Sequence, residues 1–573
     1  MRIFQAVFAG KKEVVLVRSD DGFNVDGTAR PDVRSYLAGG YTQAVHPSLV
    51  DAANACDLFG QFVLLKHNHV NRTLTILNDR FGLFPFFIAR NRDRLYLCTE
   101  LNPLVDLLEG GCPDYEAMSD ILAFNVPFDR RTKWKSIESL GGGIEMTIDL
   151  DTLSINTRKA WDPASFLKAA DLRFDDVKDK LVDLYLEGVE QAVGSKEVRV
   201  TLSGGADSRC LLAASLHLGK ATSTYSTGIE GSRALSYASA MAKKCGVRHH
   251  ARPLDEHFVE HLPSLMHLAS KTMQGMSFSS EVEAMWLREQ MDSSGVLLHG
   301  ACGELYKIGE MHQYPFDSIV ASLQGGAVGD HLWKRFGQSY RLRSQGFSSG
   351  TQLAMGDFAQ QHLRDKIARY SGELDTAGVL QLIYIEEFIG KVVKSSWQMW
   401  RQRISTMFPF AYPPLVDLIL RVAPKEKAAN RFVVHLLKRA NRDLGRHPDS
   451  NTGVRIGASW LRRESMHVYD YATKRLSFHR RRFDHQDFVT WIARAPGGPE
   501  SMFAEFNNLT HALDMHHIRQ LIHACRAGDE AAARTLFFLW GWSLSCMDSI
   551  AGSCRGQGTP QLEASAFPAL LPS

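Results

Sequence analysis

A six-residue loop, Ser203-Gly204-Gly205-Ala206-Asp207-Ser208, is the feature that most constrains the fold of this chain. It follows the apolar run Val198 to Leu202, which predicts a buried strand, and it opens a helix predicted over Ser208 to Leu218. The two glycines allow a tight turn with accessible backbone N–H groups, and the N-terminus of the helix adds further donors. A strand, a tight loop and a helix in this order predict a βαβ unit and a parallel sheet.

The chemistry of this loop favours binding of pyrophosphate. Ser203 and Ser208 carry hydroxyl groups that can donate hydrogen bonds to phosphate oxygens. Asp207 has no place beside phosphate unless a cation lies between them, and Mg²⁺ is a cation that pairs carboxylates with phosphates. The alternative is a plain strand-to-helix turn whose Asp and Ser cap the helix. The loop matches neither the Walker sequence nor the Rossmann fingerprint.

The pattern along the chain divides it into two parts near Trp161-Asp162-Pro163. Before this point β-rich runs predominate, at Glu13 to Val17, Gln61 to Leu65 and Thr73 to Leu77. From about Arg173 helices and strands alternate, and after about residue 375 the helical pattern dominates. The predicted elements of the alternating part are helices over Asp175 to Val193 and Ala234 to Cys245, with strands at Ser223 to Ser226 and Gly295 to His299.

Composition excludes several classes of protein. The 573 residues are 45% apolar and 23% charged, and the net charge is only +3, so disorder is not the dominant state. The same charge balance gives no field that demands nucleic acid or a membrane surface. Nine scattered cysteines without a C-x-x-C spacing favour a reduced, cytoplasmic protein. The apolar run Leu536 to Trp542 is too short to span a bilayer, and we expect it in a buried helix.

The Ser203–Ser208 loop resembles the pyrophosphate loop of the ATP pyrophosphatases, which activate a carboxylate as an adenylate and release pyrophosphate. Further landmarks resemble asparagine synthetase and occur in that family's order. In the N-terminal part, Asp79 to Phe87 resembles a strand-turn of its glutaminase domain. The other landmarks are Tyr225 to Ser232, Val247 to His250, Leu298 to Tyr306, Phe408 to Phe410 and Leu436 to Ala440.

This resemblance implies an α/β fold with two domains. Residues 1–165 are expected to form a glutaminase-like, Ntn-type β-sandwich, and residues 166–573 an ATP pyrophosphatase domain with a doubly wound parallel sheet and extra helices. ATP and Mg²⁺ are the implied cofactors. The implied site has an adenine part, Leu202 and Gly300; a phosphate part, Ser203, Gly204, Gly205 and Ser208; and two catalytic carboxylates that hold Mg²⁺, Asp207 and Glu304.

Departures from the family pattern modify the expected reaction. Arg2 stands where a glutaminase has its nucleophilic Cys, so we expect no glutaminase activity. Ala301 falls where asparagine synthetases carry a Glu near the substrate amine. Val434 falls where the family has a Lys that stabilises adenylation, and Arg431 or Lys438 could supply that charge instead. The residues that bind ATP in the family are therefore kept, and those that serve aspartate and ammonia are lost.

Two relatives of asparagine synthetase fit this pattern, the β-lactam synthetases and the lasso-peptide cyclases. The former carry a Tyr in the acidic loop where this chain has Ala301, so the resemblance favours the latter. The implied function is adenylation of an Asp or Glu side chain of a ribosomal precursor peptide and ring closure by its N-terminal amine. A leader-peptide protease or recognition partner is then expected, with no nucleic acid or membrane. The alternatives are a small-molecule amide or β-lactam synthetase and a non-catalytic peptide-binding scaffold.

Other polar groups receive plainer interpretations. Glu386 and Glu387 are candidates for the base that deprotonates the amine, but a solvated helix face is the preferred interpretation. The basic run from Lys474 to Arg482 is interpreted as another solvated face, with a leader peptide as the alternative partner. Lys391, Lys394, Arg401 and Arg403 are candidates for contact with phosphates. The remaining candidates, for zinc, are interpreted as ordinary polar patches: His249, His250, His516, His517 and His523.

Overall fold

The computed structural model describes most of the chain between residues 5 and 554. The described residues are 5–9, 12–16, 24–25, 33–41, 56–91, 94–108, 112–274, 276, 281–307, 318–459, 461–462, 465–466, 468–469, 486–504, 506 and 512–554. Arg2 and the basic run from Lys474 to Arg482 lie outside them.

Two antiparallel sheets occupy the first part of the chain. Their strands are β1 (Gln5–Ala9), β2 (Lys12–Leu16), β3 (Asn24–Val25), β4 (Val33–Tyr41), β5 (Gly60–Asn68), β6 (Thr73–Asn78), β7 (Phe87–Asn91), β8 (Arg94–Cys98), β9 (Ile137–Ser139), β10 (Ile144–Asp149) and β11 (Ile155–Lys159). One sheet has the order β2-β1-β8-β7-β9 and the other β11-β10-β6-β5-β4-β3. The β-rich character predicted for this region is confirmed.

Both faces of strands β7 and β8 are buried, and successive side chains along each strand enter different apolar clusters. Ile88 and Leu97 belong to the same apolar cluster as Val63 of the other antiparallel sheet. Their neighbours Phe87 and Cys98 belong to a separate cluster on the opposite face. Successive side chains of a strand point to opposite faces, so one face of this sheet packs toward the second sheet and the other toward helices.

A parallel sheet follows in the second part of the chain. Its strands are β12 (Val198–Thr201), β13 (Thr222–Gly228), β14 (Arg248–Pro253), β15 (Val296–Leu298) and β16 (Ser405–Met407). The order is β14-β13-β12-β15-β16, and every pair is parallel. The chain therefore moves outward from β12 in one direction and then in the other, so the order reverses between β12 and β15. Ligands of open α/β sheets bind at such a reversal, beyond the carboxyl ends of the strands.

Helices cover the sheets and form most of the last third of the chain. Those up to the last parallel strand are Asn102–Leu107, Tyr115–Phe124, Pro163–Lys168, Phe174–Val193, Ala206–His217, Arg233–Cys245, Glu256–Met273, Val282–Arg288, Ser318–Ser322, Gly326–Ser344, Ser349–Met355, Phe358–Ser371, Thr376–Ile383 and Lys394–Arg401. Those after it are Pro413–Leu420, Arg431–Ala440, Arg442–Arg446, Phe488–Arg494, Gly498–Ala504, Met515–Arg526 and Glu530–Cys554. The helices predicted over Asp175 to Val193, Ser208 to Leu218 and Ala234 to Cys245 are confirmed. Each end lies within two residues of the predicted end.

One helical rod contains an unusual segment. A π-helix over Tyr384–Val393 joins helix Thr376–Ile383 to helix Lys394–Arg401. π-Helical turns are rare and often occur at functional sites. This segment carries Glu386 and Glu387, and Glu387 is only 1% exposed. The interpretation of this pair as a solvated helix face is therefore wrong, because periodicity alone did not reveal the buried cations that accompany Glu387.

The apolar run Leu536 to Trp542 lies in helix Glu530–Cys554, and its side chains are mostly buried, as predicted. Among the described residues, no helix combines the length and apolar character needed to cross a membrane. Eight cysteines have described side chains, and all eight are free thiols.

One apolar cluster joins the antiparallel and parallel sheets. It contains Val63 and Ile76 from the first part of the chain and Val198, Val200 and Leu298 from the parallel sheet. The mixed α/β class with a parallel sheet is confirmed. The domain boundary between residues 165 and 166 stays a prediction.

Candidate functional site

The Ser203–Ser208 loop lies at the carboxyl end of β12, at the point where the strand order reverses. Gly204 has φ +78°, a conformation that disfavours other residues, and a Cβ there would lie 3.1 Å from Cβ of Ser450. The backbone N–H of Ser203 donates to Oγ of Ser208 over 3.2 Å, and the two hydroxyl oxygens lie 3.2 Å apart. These contacts fold the loop back onto the start of helix Ala206–His217.

The N-terminus of that helix keeps its donors available. Gly205 is the N-cap residue and supplies no side-chain hydrogen bond to the first turn. Its own N–H donates to Oγ of Ser203 over 3.4 Å. The free N–H groups and the helix dipole favour an anion at this position.

The acidic loop, defined here as His299–Glu304, follows β15 and packs directly on Asp207. A Cβ on Gly303 would lie 2.5 Å from Cγ of Asp207, and one on Gly300 would lie 3.1 Å from its Cβ. Only glycine therefore fits at Gly303 without displacing the carboxylate. Parallel pairing of β12 with β15, with Val198 opposite Val296, brings the two loops to the same sheet edge.

The two carboxylates predicted to hold Mg²⁺ have different surroundings. Oδ2 of Asp207 accepts a hydrogen bond from Nζ of Lys307 over 2.9 Å. Oδ1 of Asp207 is buried and has no hydrogen-bond partner within the described part of the chain. Glu304 accepts a hydrogen bond from the hydroxyl of Tyr384, whose pKa burial and the Glu304 charge raise well above its usual value. A buried carboxylate oxygen without a partner suits a hard cation such as Mg²⁺.

The two residues predicted for the adenine site follow the ends of β12 and β15, and one of them, Gly300, packs against Asp207. Leu202 is 1% exposed, and its N–H donates to the carbonyl oxygen of Tyr225 over 2.7 Å, which continues the β12–β13 ladder. A Cβ on Gly300 would lie 3.1 Å from Cβ of Asp207 and 3.4 Å from the backbone N of Ser208. The structure therefore brings together all of the predicted site residues, and their roles stay predictions.

A covering segment, defined as His447–Val454, lies over the Ser203–Ser208 loop. The Ser450 N–H donates to the carbonyl oxygen of Gly204 over 3.1 Å. Asp449 organises the segment, because its carboxylate accepts from the N–H groups of Asn451 at 2.9 Å and Thr452 at 3.2 Å. This segment was not identified from the sequence, although its Pro, Asp, Ser, Asn and Gly residues mark a turn.

Arg209 fastens the covering segment to the loop. Its side chain is fully buried and donates to the carbonyl oxygens of Gly204 and Pro448 at 2.8 Å, His447 at 2.7 Å and Leu444 at 3.1 Å. Burial lowers the pKa of this guanidinium. Four carbonyl acceptors replace the water that the group loses, so the geometry of the loop depends on this contact.

The cations proposed to replace the family Lys lie elsewhere. Arg431 binds Asp175 over 2.8 Å and also Glu426. Lys438 is exposed on helix Arg431–Ala440. Val434 packs against Gly457, where a Cβ would lie 2.7 Å from its Cγ2. Lys307 is the cation observed on the Asp207 carboxylate within the described residues, and the sequence analysis did not identify it.

The other candidates for phosphate contact have partners elsewhere. Nζ of Lys391 donates to the carbonyl oxygen of Pro127 over 2.8 Å. Arg401 stacks over the rings of Phe84 and Trp397, and Arg403 donates to a backbone carbonyl. Lys394 lines a cavity between the antiparallel sheets and the π-helix.

The histidines form ordinary polar contacts. His249 is held between the hydroxyls of Thr224 at 2.9 Å and Ser226 at 3.2 Å, and burial lowers its pKa. His250 stacks on Tyr225. Within the described residues, the one group of three side chains spaced to hold a metal is the exposed set His257, Glu260 and His261.

A family model described as asparagine synthase matches residues 183–451 of this chain. A protein of Mycobacterium bovis and one of Mycobacterium tuberculosis, each named "Putative asparagine synthetase (glutamine-hydrolyzing)", are 25% identical to it over 221 residues. The match covers 36% of this chain and 33% of each relative, so the chain spans about a third of the length of the curated relatives it matches.

Two solved structures also align with the chain. One is described as the allosteric regulatory enzyme of purine biosynthesis, with 8% identity, a TM-score of 0.18, and coverage of 59% of this chain and 72% of that one. The other is the glutamine phosphoribosylpyrophosphate amidotransferase from B. subtilis complexed with ADP and GMP, with 11% identity, a TM-score of 0.17, and coverage of 59% and 83%. Neither likeness supports an argument at these TM-scores. The matched residues 183–451 contain the Ser203–Ser208 loop, the acidic loop and most of the covering segment, so this part of the chain is similar to the asparagine synthase family.

Proposed function

We propose that this protein is a Mg-ATP-dependent lasso-peptide cyclase, an amide-forming ligase that closes a ring in a ribosomal precursor peptide. The observation that carries the proposal is the packing of Gly303 on Asp207, which joins a pyrophosphate-type loop to an acidic loop at one sheet edge. Such an edge holds donors for phosphate oxygens beside two carboxylates. This combination suits a nucleotide triphosphate with its metal.

Each part of the site then has a defined task. The N–H groups and hydroxyls of the Ser203–Ser208 loop bind the β- and γ-phosphates, and Leu202 and Gly300 line the adenine. Asp207 and Glu304 fit Mg²⁺ because one buried Asp207 oxygen has no other partner among the described residues. The metal would neutralise phosphate charge and polarise the α-phosphorus. Lys307 and Tyr384 orient the two carboxylates.

The proposed reaction has two steps. A carboxylate oxygen of an Asp or Glu side chain of the peptide attacks the α-phosphorus of ATP, the bond to the β-phosphate oxygen breaks, and pyrophosphate leaves. The N-terminal amine of the peptide then attacks the acyl carbon, AMP leaves, and the amine proton passes to a base. A folded peptide makes the second step unimolecular, which is worth up to about 7–11 kcal/mol of barrier.

A substrate that carries its own amine is consistent with the residues by which this chain differs from asparagine synthetase. Ala301 offers no group that could bind a separate amine or transfer its proton. A substrate that already contains its own amine has no need of such a group. The proposal therefore includes a precursor peptide as substrate, a leader-peptide protease as partner, and a reducing cytoplasmic setting.

We also propose that the N-terminal part has no glutaminase activity. Cys56 and Cys98 are its buried cysteines in the described structure, and burial raises their pKa values to about 11 and about 12. A nucleophilic cysteine needs the opposite shift, because the thiolate is the attacking form. Incubation with glutamine should therefore release no glutamate.

The decisive experiment combines the protein with Mg-ATP and a leaderless precursor peptide. Mass spectrometry is expected to show loss of one water from the peptide, together with AMP and pyrophosphate. Asp207→Asn should abolish both, since it removes a carboxylate from the loop. The matched control is Asp183→Asn, an exposed aspartate that pairs with Arg439 on the outer helices.

The outcomes separate the alternatives. AMP formed only with small amino-acid-like acids would replace the cyclase with a small-molecule amide or β-lactam synthetase. Absence of AMP with every acid and peptide, while ATP or the peptide still binds, would favour a non-catalytic scaffold. Equal product from wild type and Asp207→Asn would refute the assigned site.

A further inference from the structure

A second cavity of about 870 Å³ lies between the antiparallel sheets and the π-helix. Ser139 to Gly142 line one side of it, and Glu386 to Lys394 line the other. Its lining includes neither the Ser203–Ser208 loop nor the acidic loop, and the two phosphate candidates Lys391 and Lys394 face this cavity instead. Its charged lining comprises nine basic and six acidic side chains: Arg80, Arg130, Arg131, Lys135, Lys159, Lys366, Arg369, Lys391 and Lys394, with Asp114, Glu116, Asp129, Glu138, Glu386 and Glu387.

The six carboxylates are all paired with cations. Arg131 pairs with Asp114 over 3.1 Å and also with Glu116, and Arg130 pairs with Glu138 over 3.0 Å.

Lys366, whose side chain is 3% exposed, holds the other three carboxylates. Its Nζ lies 2.7 Å from Asp129, 2.8 Å from Glu386 and in contact with Glu387. These carboxylates are therefore not available to neutralise a further cation.

Lys394 is a buried lysine of this lining that takes no part in these ion pairs. Its side chain is only 3% exposed, and its Nζ donates long hydrogen bonds to Oγ of Ser139 at 3.3 Å and to the carbonyl oxygen of Leu140 at 3.4 Å. No carboxylate forms an ion pair with it within the described residues. Burial, together with the nearby charge of Lys391 and against that of Asp79, lowers its pKa to about 7. A buried ammonium without a counter-ion is unfavourable, and a bound anion would relieve it.

Open space adjoins this ammonium. Leu140, whose carbonyl accepts its hydrogen bond, is followed by Gly141. Apart from its chain neighbours, no described residue comes within 4 Å of the position of a Cβ on Gly141. Trp161 and Ile385 add apolar lining, so the space suits a small organic group as well as an anion. Polar groups that converge in a largely preformed cavity are typical of ligand sites.

We propose that this cavity is a second ligand site, which binds a small organic carboxylate or phosphate through an ion pair with Lys394. The site is distinct from the nucleotide site and does not depend on the function proposed above. The π-helix connects the two, because Tyr384 at its start contacts Glu304 and Lys394 follows its end.

The test is thermal denaturation of the full chain, without ATP, in succinate or inorganic phosphate against chloride at equal ionic strength. An anion that binds only the folded protein raises Tm, and a rise of at least about 1 °C is expected with one of the two. Lys394→Met should raise the basal Tm, because it removes an unpaired buried charge, and should abolish the anion-dependent rise. The two anions distinguish a carboxylate site from a phosphate site.

A second variant keeps the test informative if Lys394→Met fails to fold. Gly141→Leu keeps Lys394 but fills the open space, so it should also lose the response to the anion. Lys168→Met removes an exposed lysine that pairs with Glu373 outside the cavity, and it should respond as wild type does. The proposal is overturned if neither anion stabilises the wild type. It is equally overturned if both cavity variants retain the full response, as they would if phosphate bound only at the Ser203–Ser208 loop.

Discussion

Lys307 donates a hydrogen bond from Nζ to Oδ2 of Asp207 over 2.9 Å, and both side chains are largely shielded from water. This pair connects Lys307, three residues beyond the acidic loop, to the first turn of helix Ala206–His217. It fixes one carboxylate oxygen and leaves the other directed to the proposed metal. Hydrogen bonds to charged groups contribute about 1.5–3 kcal/mol, so the pair is strong enough to set the orientation of Asp207.

Replacement of Lys307 tests this positioning role. Lys307→Met should lower the rate of AMP formation about 10- to 100-fold, the factor that corresponds to loss of one charged hydrogen bond. The pyrophosphate released per unit time is the measurement, and Lys168→Met is the matched surface control. Retention of the full rate in Lys307→Met would show that Asp207 is oriented by other contacts.

Gly303→Ala tests the close approach of the two loops. The added Cβ would lie 2.5 Å from Cγ of Asp207, a distance that forces the carboxylate or the loop to move. We expect loss of nucleotide binding by at least about tenfold, measured by titration with Mg-ATP, because a displaced ligand rarely keeps metal geometry. Gly350→Ala is the control, since a Cβ there would meet no other described residue within 4 Å beyond its own helix. Wild-type affinity in Gly303→Ala would contradict the assigned geometry.

Arg209 offers a test of the covering segment. A lysine has one ammonium and cannot satisfy the four carbonyl oxygens that Arg209 binds, so Arg209→Lys should leave buried acceptors unpaired. We expect stability to fall by about 1–3 kcal/mol per unpaired group in urea denaturation, together with weaker binding of ATP. Arg442→Lys, on the exposed surface, should change neither quantity. Unchanged stability in Arg209→Lys would mean that water replaces the lost donors.

Glu283 predicts a dependence of stability on pH. Its pKa is raised to about 8 by burial and by the charge of Glu281, against a hydrogen bond from Gln486. Between the ordinary glutamate pKa of about 4.3 and this value the folded protein keeps a proton that the unfolded chain has lost, so stability falls as pH rises. The contribution reaches at most about 1.4 kcal/mol per pH unit.

The variant Glu283→Gln removes this titration and should flatten the decline. Urea denaturation between about pH 5 and pH 8 measures the slope. Glu260→Gln, which alters an exposed glutamate of a neighbouring helix, should keep the wild-type slope. An identical slope in Glu283→Gln and wild type would place the titrating group elsewhere.

Much of the parallel sheet could be predicted because its inner strands are locally distinctive. Val198 to Leu202 and Gly295 to His299 are short apolar runs beside glycines, and both became strands as predicted. The outer strands β14 and β16 were not predicted. Arg248–Pro253 is polar and half-exposed at one sheet edge, and Ser405–Met407 has only three residues, so pairing with a neighbour makes each of them a strand.

The functional site likewise has parts that the sequence predicts and parts that depend on the tertiary structure. The sequence alone determined the Ser203–Ser208 loop and the acidic loop, because glycines, hydroxyls and carboxylates at short spacing specify a local backbone and a local chemistry. Only the tertiary structure decided what surrounds them. Lys307 contacts Asp207 across 100 residues, and Arg209 reaches Leu444 across 235.

The cavity beside Lys394 could not be predicted from the sequence, because its lining residues come from segments that are far apart along the chain. Glu387 looked like part of a solvated face, but Lys366 and Asp129 approach it from 21 and 258 residues away. A pattern of apolar and polar residues reports which face of a helix is favourable to bury, and it carries no information on which distant charge will meet that face. Burial without a charged partner is costly. The packing of distant segments, and not the local sequence, therefore decided which lysines and carboxylates pair, and it left Lys394 without a carboxylate partner among the described residues.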